Sequence, residues 1–294
     1  MAIAHGDDVV SPLPGYPPLV RRALAGLDAV AAVSRATGAA CLERGLAPQR
    51  LHLIPNGIDP RRFGPPTDRP ASRTELAASL GQPPLPAGAF LLCSVGRQVG
   101  RKGFAWFVRQ VMPLLPPAVH YWVAGDGPDT RQVLAAIAEQ RLGGRVRLLG
   151  GLDEGGLLKL YQGADLFVMP NIQVAGTMEG FGVVLLEAGL CGLPVVAADL
   201  EGICDVIVGG ENGLLAQSGN PWAFAQAIRR CWSDRSLLER LAAGTRCQAR
   251  HYSWPLVAQQ HLDLLQQLTG SSAGVQQPAA STSSVLRPCA VEGP

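Results

Sequence analysis

The sequence predicts an α/β fold in which a parallel β-sheet is covered by helices on both faces. Three observations carry that expectation. Apolar strand-like runs and helical segments alternate through most of the 294 residues. The runs are short and apolar, as strands buried on both faces require. Hydrophobic residues make up 47% of the chain and charged residues 16%, which suits a core of one large domain or two ordinary ones.

Taken in order, Leu27 to Val33 reads as a buried strand. Ser34 then caps a helix of small residues that runs to Arg44 and ends at Gly45. Leu51 to Ile54 is a second strand, closed by Pro55-Asn56-Gly57, where Asn and Gly tolerate positive φ. The next residues are proline-rich, with a weak helix over Ser72 to Leu80, so 57–88 reads as a linker between domains. From Phe90 the pattern is regular. Strands are expected at Phe90–Val95, His120–Ala124, Val146–Leu149, Leu166–Met169 and Val195–Ala198. Helices are expected from Phe104, and over Thr130–Arg141, Leu157–Gln162, Gly182–Leu190, Pro221–Cys231 and Ser236–His251. Residues 269–294, rich in Ser, Gln, Pro, Ala and Gly, read as a disordered tail.

Composition excludes several function classes. A formal net charge of +2 gives no reason to expect nucleic acid as a partner. The seven cysteines are odd in number and none are spaced as C-x-x-C, which argues against a structural zinc site and a disulfide framework and suits a reducing, cytoplasmic setting. The opening MAIAHGDDVV lacks the basic region and apolar core of a secretory signal. The longest apolar stretch, Val183 to Ala198, is interrupted by Glu187 and Pro194 and is too short to span a bilayer. Peripheral membrane contact stays compatible with this composition.

Two familiar nucleotide-binding motifs fail on spacing. Gly125-Asp-Gly127 starts like a dinucleotide fingerprint, but Thr130 stands where the third glycine belongs. Gly96-Arg-Gln-Val-Gly-Arg-Lys102 starts like a P-loop, but Arg101 replaces its second glycine and Gly103 follows the lysine. A different ordered series fits: Pro55-Asn-Gly-Ile-Asp59, Gly96-Arg97 with Lys102-Gly103, Gly125-Asp-Gly-Pro128, Glu179-Gly-Phe-Gly-Val-Val-Leu-Leu-Glu187, Gly192-Leu-Pro-Val-Val196 and Glu211-Asn-Gly-Leu-Leu215. With these motifs the chain resembles glycosyltransferase family 4, the retaining group 1 enzymes of GT-B fold, over about residues 1 to 265. One departure is local: Gly202-Ile-Cys-Asp205 has cysteine and aspartate where that family usually has proline and glutamate.

The resemblance implies a Rossmann-like C-terminal domain over 89–250, a partial N-terminal Rossmann-like domain over 1–56, and a C-terminal helix over 251–268 that returns toward the N-terminal domain. It implies transfer of a sugar from a UDP- or GDP-sugar, with no cofactor and no required metal, to a glycan or lipid acceptor. Residue chemistry fits that expectation. Arg97 and Lys102 follow a strand end and can neutralise a diphosphate, Arg as a fork and Lys as a point charge. Phe181 and Gly182 are expected to open a helix whose free N–H groups suit an anion, so Gly180, Phe181, Gly182 and Val183 join the donor-binding set. Carboxylates repel phosphate and accept from hydroxyls. The resemblance assigns Glu179 to the transferred sugar and Glu187, about a turn and a half into the helix, to the ribose. Apolar neighbours make an unpaired acid at Glu187 costly, which favours a ligand there. Asn171 borders the same loop, and His5 of His5-Gly-Asp-Asp-Val9 corresponds to a histidine near the family's reaction centre. The family's N-terminal domain is longer than Met1–Pro55, so a fragment, a mis-assigned start or a partner supplying the rest is expected. Two other readings stay open: a nucleotide-sugar-binding module without transfer, and an epimerase on the same fold, for which no set of acids or histidines facing a sugar carbon stands out.

Overall fold

The computed structural model describes residues 1–270. The tail expected from 269 onward therefore lies outside the described residues, except that Thr269 ends a helix and Gly270 follows it.

The N-terminal part comprises β1 (Ala2–Ala4), α1 (Asp7–Val10), α2 (Tyr16–Ala25), β2 (Val30–Ala32), α3 (Arg35–Glu43) and β3 (Leu51–Leu53). Its three strands form a parallel sheet in the order β1-β2-β3, with Ala2 opposite Val30 and Ala31 opposite His52. The Ser34 side chain caps α3 by accepting the Thr37 N–H, and Gly45 follows in a left-handed conformation at φ 94°. Neither β1 nor α2 is legible in the sequence. Three residues are too few to show a period, and Tyr-Pro-Pro at the start of α2 looks like a helix breaker. Pro17 and Pro18 occupy the first turn, where a missing N–H costs nothing.

The larger part contains α4 (Arg69–Ser79), β4 (Phe90–Val95), α5 (Phe104–Trp106), β5 (Val119–Ala124), α6 (Thr130–Glu139), β6 (Val146–Gly150), α7 (Glu154–Gly163), β7 (Leu166–Met169), α8 (Val183–Leu190), β8 (Val195–Asp199), α9 (Ile203–Val206), β9 (Leu214–Gln217), α10 (Pro221–Ser233), α11 (Arg235–Arg250) and α12 (Trp254–Thr269). The α5 segment continues as a π-helix over Phe107–Val111 and a 3-10 turn over Met112–Leu114, so the helix expected from Phe104 is irregular. All six strands are parallel, in the order β6-β5-β4-β7-β8-β9. The direction of strand addition reverses between β4 and β7. In open α/β sheets the crevice beyond the carboxyl ends of such a strand pair is where ligands bind.

Residues 57–88, expected as a linker, are not a free connection. Helix α4 lies against α7 so closely that a Cβ on Gly163 would come 3.0 Å from the Arg73 Cα. Arg73 donates to the carbonyls of Gly163 (2.8 Å) and Ala89 (3.1 Å) and pairs with Asp165 at 2.7 Å. Asp165 in turn accepts the Leu91 N–H at 2.7 Å. Arg73→Ala strips Asp165 of its cation and two carbonyls of their donor, and is expected to cost about 2 kcal/mol in chemical denaturation. A loss below about 0.5 kcal/mol would show that α4 is not fastened this way.

The two parts are joined by several contacts. Val257 and Leu264 of α12 pack with Ala29, Ala31 and Ile54. Ile58 N–H donates to the Tyr252 carbonyl (2.8 Å), and Trp254 N–H donates to the Ile58 carbonyl (3.0 Å). Asp205, the family departure noted above, accepts the Arg35 N–H at 2.9 Å and forms an ion pair with the Arg35 guanidinium. No helix among the described residues is long and apolar enough to cross a membrane. Cys41, Cys93, Cys191 and Cys231 are buried free thiols, as small core residues.

Candidate functional site

The turn after β4 and the loop after β7 meet at the strand reversal. Glycines permit the contact: Gly103, at φ 68°, lies so near the Pro170 carbonyl that a Cβ would come within 2.0 Å of its oxygen. The Gly125-Asp-Gly-Pro128 motif braces the same turn from the other side. A Cβ on Gly125 would come 2.2 Å from the Gly96 oxygen, and one on Gly127 2.3 Å from the Gln98 oxygen. The buried Gln98 amide donates to the Gly125 carbonyl at 2.6 Å. The third motif thus shapes the second.

This framework buries a polar cluster. The Lys102 ammonium pairs with Glu179 Oε2, and the Asn171 amide donates to that same oxygen at 2.9 Å. All three residues are buried, Asn171 at 1% exposure. The Asn171 Oδ1 and the Arg101 Nε are also buried and, among the described residues, have no hydrogen-bond partner. Orphaned polar atoms at the rim of a crevice suit a polar ligand, because burial without a partner costs free energy. Arg97 behaves differently: it is exposed and, among the described residues, makes no side-chain hydrogen bond or ion pair. It is a free cation beside the cluster.

The Glu179–Glu187 segment differs from expectation in two details. The helix starts at Val183, and Gly182, at φ 84°, is its N-cap rather than its first residue. Phe181 is buried and packs edge-on against Tyr252 at 5.5 Å. Glu187 is half-buried and has a protein partner: the Tyr161 hydroxyl donates to its Oε2 at 2.6 Å. With Tyr161 as its partner the acid is not unpaired, so its burial does not by itself point to a ligand there. Burial pushes the Glu187 carboxyl above its ordinary range, while the Tyr161 hydrogen bond opposes that shift.

The N-terminal part reaches this loop through the segment around His5. Gly180 lies against the His5 carbonyl, where a Cβ would come within 1.8 Å of the oxygen. Asp7 accepts the Met178 N–H at 2.9 Å and pairs with Arg101 at 3.4 Å. The His5 residue is exposed, and its main-chain N–H donates to Asp8 Oδ1 at 2.9 Å. Lys102, Glu179 and Asn171 therefore form one buried cluster, the His5 main chain lies against the neighbouring Gly180, and Glu187 stands on α8, which opens just after this loop. Sequence reasoning missed Asp7, Arg101, Tyr161 and Glu201. Asp7 and Arg101 stand inside quoted motifs, but Tyr161 and Glu201 carry no local signal.

Among the described residues, no group of three or more His, Cys, Asp and Glu side chains is placed to hold a metal ion.

Comparison with known proteins follows the same lines. Residues 89–234 match the family model "Glycosyl transferases group 1", and residues 4–62 match "Glycosyltransferase Family 4". A D-inositol 3-phosphate glycosyltransferase of Xylanimonas cellulosilytica is 34% identical over 226 residues, covering 75% of this chain and 52% of that protein. The lipopolysaccharide core biosynthesis glycosyltransferase LpsE of Rhizobium meliloti is 34% identical over 181 residues, covering 61% of this chain and 51% of its own length. The chain spans about half the length of the curated relatives it matches. Among solved structures, Anabaena HepE in complex with UDP and glucose superposes with a TM-score of 0.77 at 25% identity, over 90% of this chain and 71% of that one. Sucrose-phosphate synthase from Thermosynechococcus elongatus gives 0.75 at 26% identity, over 92% and 68%. The ordered motifs, the two parallel sheets and these matches agree, and the chain belongs to the group 1, family 4 glycosyltransferases, with the GT-B fold.

Proposed function

We propose that this chain binds a nucleoside-diphosphate sugar and takes part in its transfer to a glycan or lipid-linked acceptor with retention at the anomeric carbon. The observation that carries the reading is the buried Lys102–Glu179–Asn171 cluster at the strand reversal, with free Arg97 beside it. Arg97 and Lys102 neutralise the diphosphate, assisted by the free N–H groups at Gly182 and Val183. Glu179 then exchanges its cation for sugar hydroxyls, and Asn171 Oδ1 accepts a further hydroxyl. Glu187, oriented by Tyr161, accepts from the ribose. His5 sits across the crevice, on the acceptor side.

In the transfer step, the bond from the anomeric carbon to the phosphate oxygen breaks. A bond to the acceptor oxygen forms on the same face, and the acceptor proton passes to the departing phosphate oxygen. The likeness to HepE, solved with UDP and glucose, supports uracil as the base. The relatives' names, inositol phosphate and lipopolysaccharide core glycosyltransferases, support a polyol or glycan acceptor.

Titration calorimetry with UDP, UDP-glucose and GDP-mannose tests the donor half. UDP is expected to bind in the micromolar range, and Arg97→Ala to weaken it about tenfold, the loss of one charge-assisted contact. Absence of binding to all three ligands sinks the reading. Donor binding without transfer, in an acceptor screen of inositol phosphates and lipid-linked glycans, marks a binding module instead.

A further inference from the structure

Glu201 lies in the turn that follows β8, beside the end of β7. Its backbone is left-handed, with φ at 49°. Glycine adopts that conformation freely and glutamate does so at a cost. Arg141 is the other non-glycine residue with positive φ among the described residues. It stands just beyond the C-cap of α6, where such a conformation is usual. Glu201 precedes a helix instead and has no such excuse. Strained residues persist where the surroundings over-determine them, and they concentrate at functional positions.

Here the surroundings are specific. The Glu201 Oε2 accepts the main-chain N–H of Glu179 at 2.5 Å. The next N–H along, that of Gly202, donates to the Glu179 carbonyl at 3.1 Å. Gly202 sits so close to Gly180 that a Cβ would come within 2.1 Å of its carbonyl oxygen. Two consecutive residues therefore grip both sides of Glu179. Burial raises the Glu201 carboxyl above its ordinary range, opposed by the Glu179 N–H, so the side chain is spent on this contact at some cost. Glycine at 201 would relieve the backbone but would leave the Glu179 N–H without its acceptor.

We propose that Glu201 is a positioning residue: its carboxylate fixes the main chain of Glu179, and through it the direction in which the Glu179 carboxylate meets Lys102, Asn171 and the donor sugar. The sugar-directed part rests on the proposed function above; the main-chain part stands on the geometry alone.

Two variants of the full chain separate the alternatives. Glu201→Gly removes both the strain and the acceptor. Glu201→Gln keeps an acceptor oxygen without the charge. Hydrogen exchange at the Glu179 amide is expected to accelerate at least about tenfold in Glu201→Gly, as one charge-assisted hydrogen bond disappears, and to stay near wild type in Glu201→Gln. The melting temperature of Glu201→Gly is expected to equal or exceed that of the wild type. In calorimetry, Glu201→Gly should hold UDP within about twofold but lose about tenfold in the affinity for UDP-glucose relative to UDP, with Glu201→Gln retaining most of it. Unchanged exchange at Glu179 in Glu201→Gly overturns the proposal, whatever the ligand does. Equal losses of relative affinity in both variants overturn it in favour of direct charge contact with the sugar. Exchange that accelerates as expected in a protein whose wild type ignores UDP-glucose supports the main-chain role and overturns only the donor reading.

Discussion

Lys102→Met is expected to destabilise the fold by about 3–5 kcal/mol, more than any other single change at the crevice. The lysine and Glu179 side chains are only 11% and 9% exposed. Removing the cation leaves a carboxylate in that environment with the Asn171 amide at 2.9 Å as its remaining side-chain donor. The Coulomb attraction of a buried pair does little more than offset its desolvation, so the pair itself adds little net stability. Breaking it is costly because one charge is left behind. A Lys102→Met/Glu179→Gln double variant should therefore recover most of the loss, leaving it within about 1–2 kcal/mol of wild type. Urea denaturation of the two single variants and the double variant closes the cycle. A loss below about 1 kcal/mol for Lys102→Met, or strictly additive losses, would mean that the two groups are not coupled as the geometry indicates. The double variant also separates stability from function: on the proposed function it should be folded and yet bind UDP poorly, because it lacks the cation assigned there to the diphosphate.

That pair also shows where reading the sequence stops. Arg97, Lys102 and Glu179 stand in motifs with their own spacing, which is why the sequence offers them as donor-site candidates, and Asn171 enters only as a neighbour of the loop before Glu179. The sequence assigned Lys102 and Glu179 to different portions of a donor, since a carboxylate repels phosphate. Their pairing depends on the β4 and β7 ends lying side by side, as the sheet order dictates and no local pattern reveals. Strands β4 and β7 coincide with the apolar runs expected for them, because central strands of a parallel sheet are apolar on both faces. Strand β9, lying at the sheet edge, and the three-residue β1 carry a weaker pattern and were not anticipated. Glu201 was invisible for another reason. Its role follows from a left-handed backbone and a hydrogen bond to a residue 22 positions away, and neither leaves a mark in composition or periodicity.

Glu187→Gln is expected to weaken UDP binding about a hundredfold while leaving the protein at least as stable at neutral pH. The stability half follows from the sign of the titration. Burial raises the Glu187 carboxyl in the folded protein above its value in the unfolded chain. The native state then holds its proton to higher pH than the unfolded state does. The contribution to stability is fully present below the ordinary glutamate value, about 4.3, and is lost as pH rises through the folded value. Glutamine has no charge to desolvate and still offers an oxygen to the Tyr161 hydroxyl, which now donates at 2.6 Å. The variant should therefore show a flatter decline in stability above pH 4.3 than the wild type. The binding half follows from the two ribose hydroxyls. In the proposed site both donate to the Glu187 carboxylate; glutamine would replace an acceptor by an amide that can only donate, while removing the charge that strengthens the remaining contact. About 2–3 kcal/mol, or a hundredfold in affinity, is the expected loss. Calorimetry with UDP and with 2′-deoxy-UDP distinguishes this from a general loosening of the site: the deoxy ligand should lose much less affinity than UDP when Glu187 becomes Gln. Equal losses for the two ligands would move Glu187 away from the ribose and leave it a core acid satisfied by Tyr161.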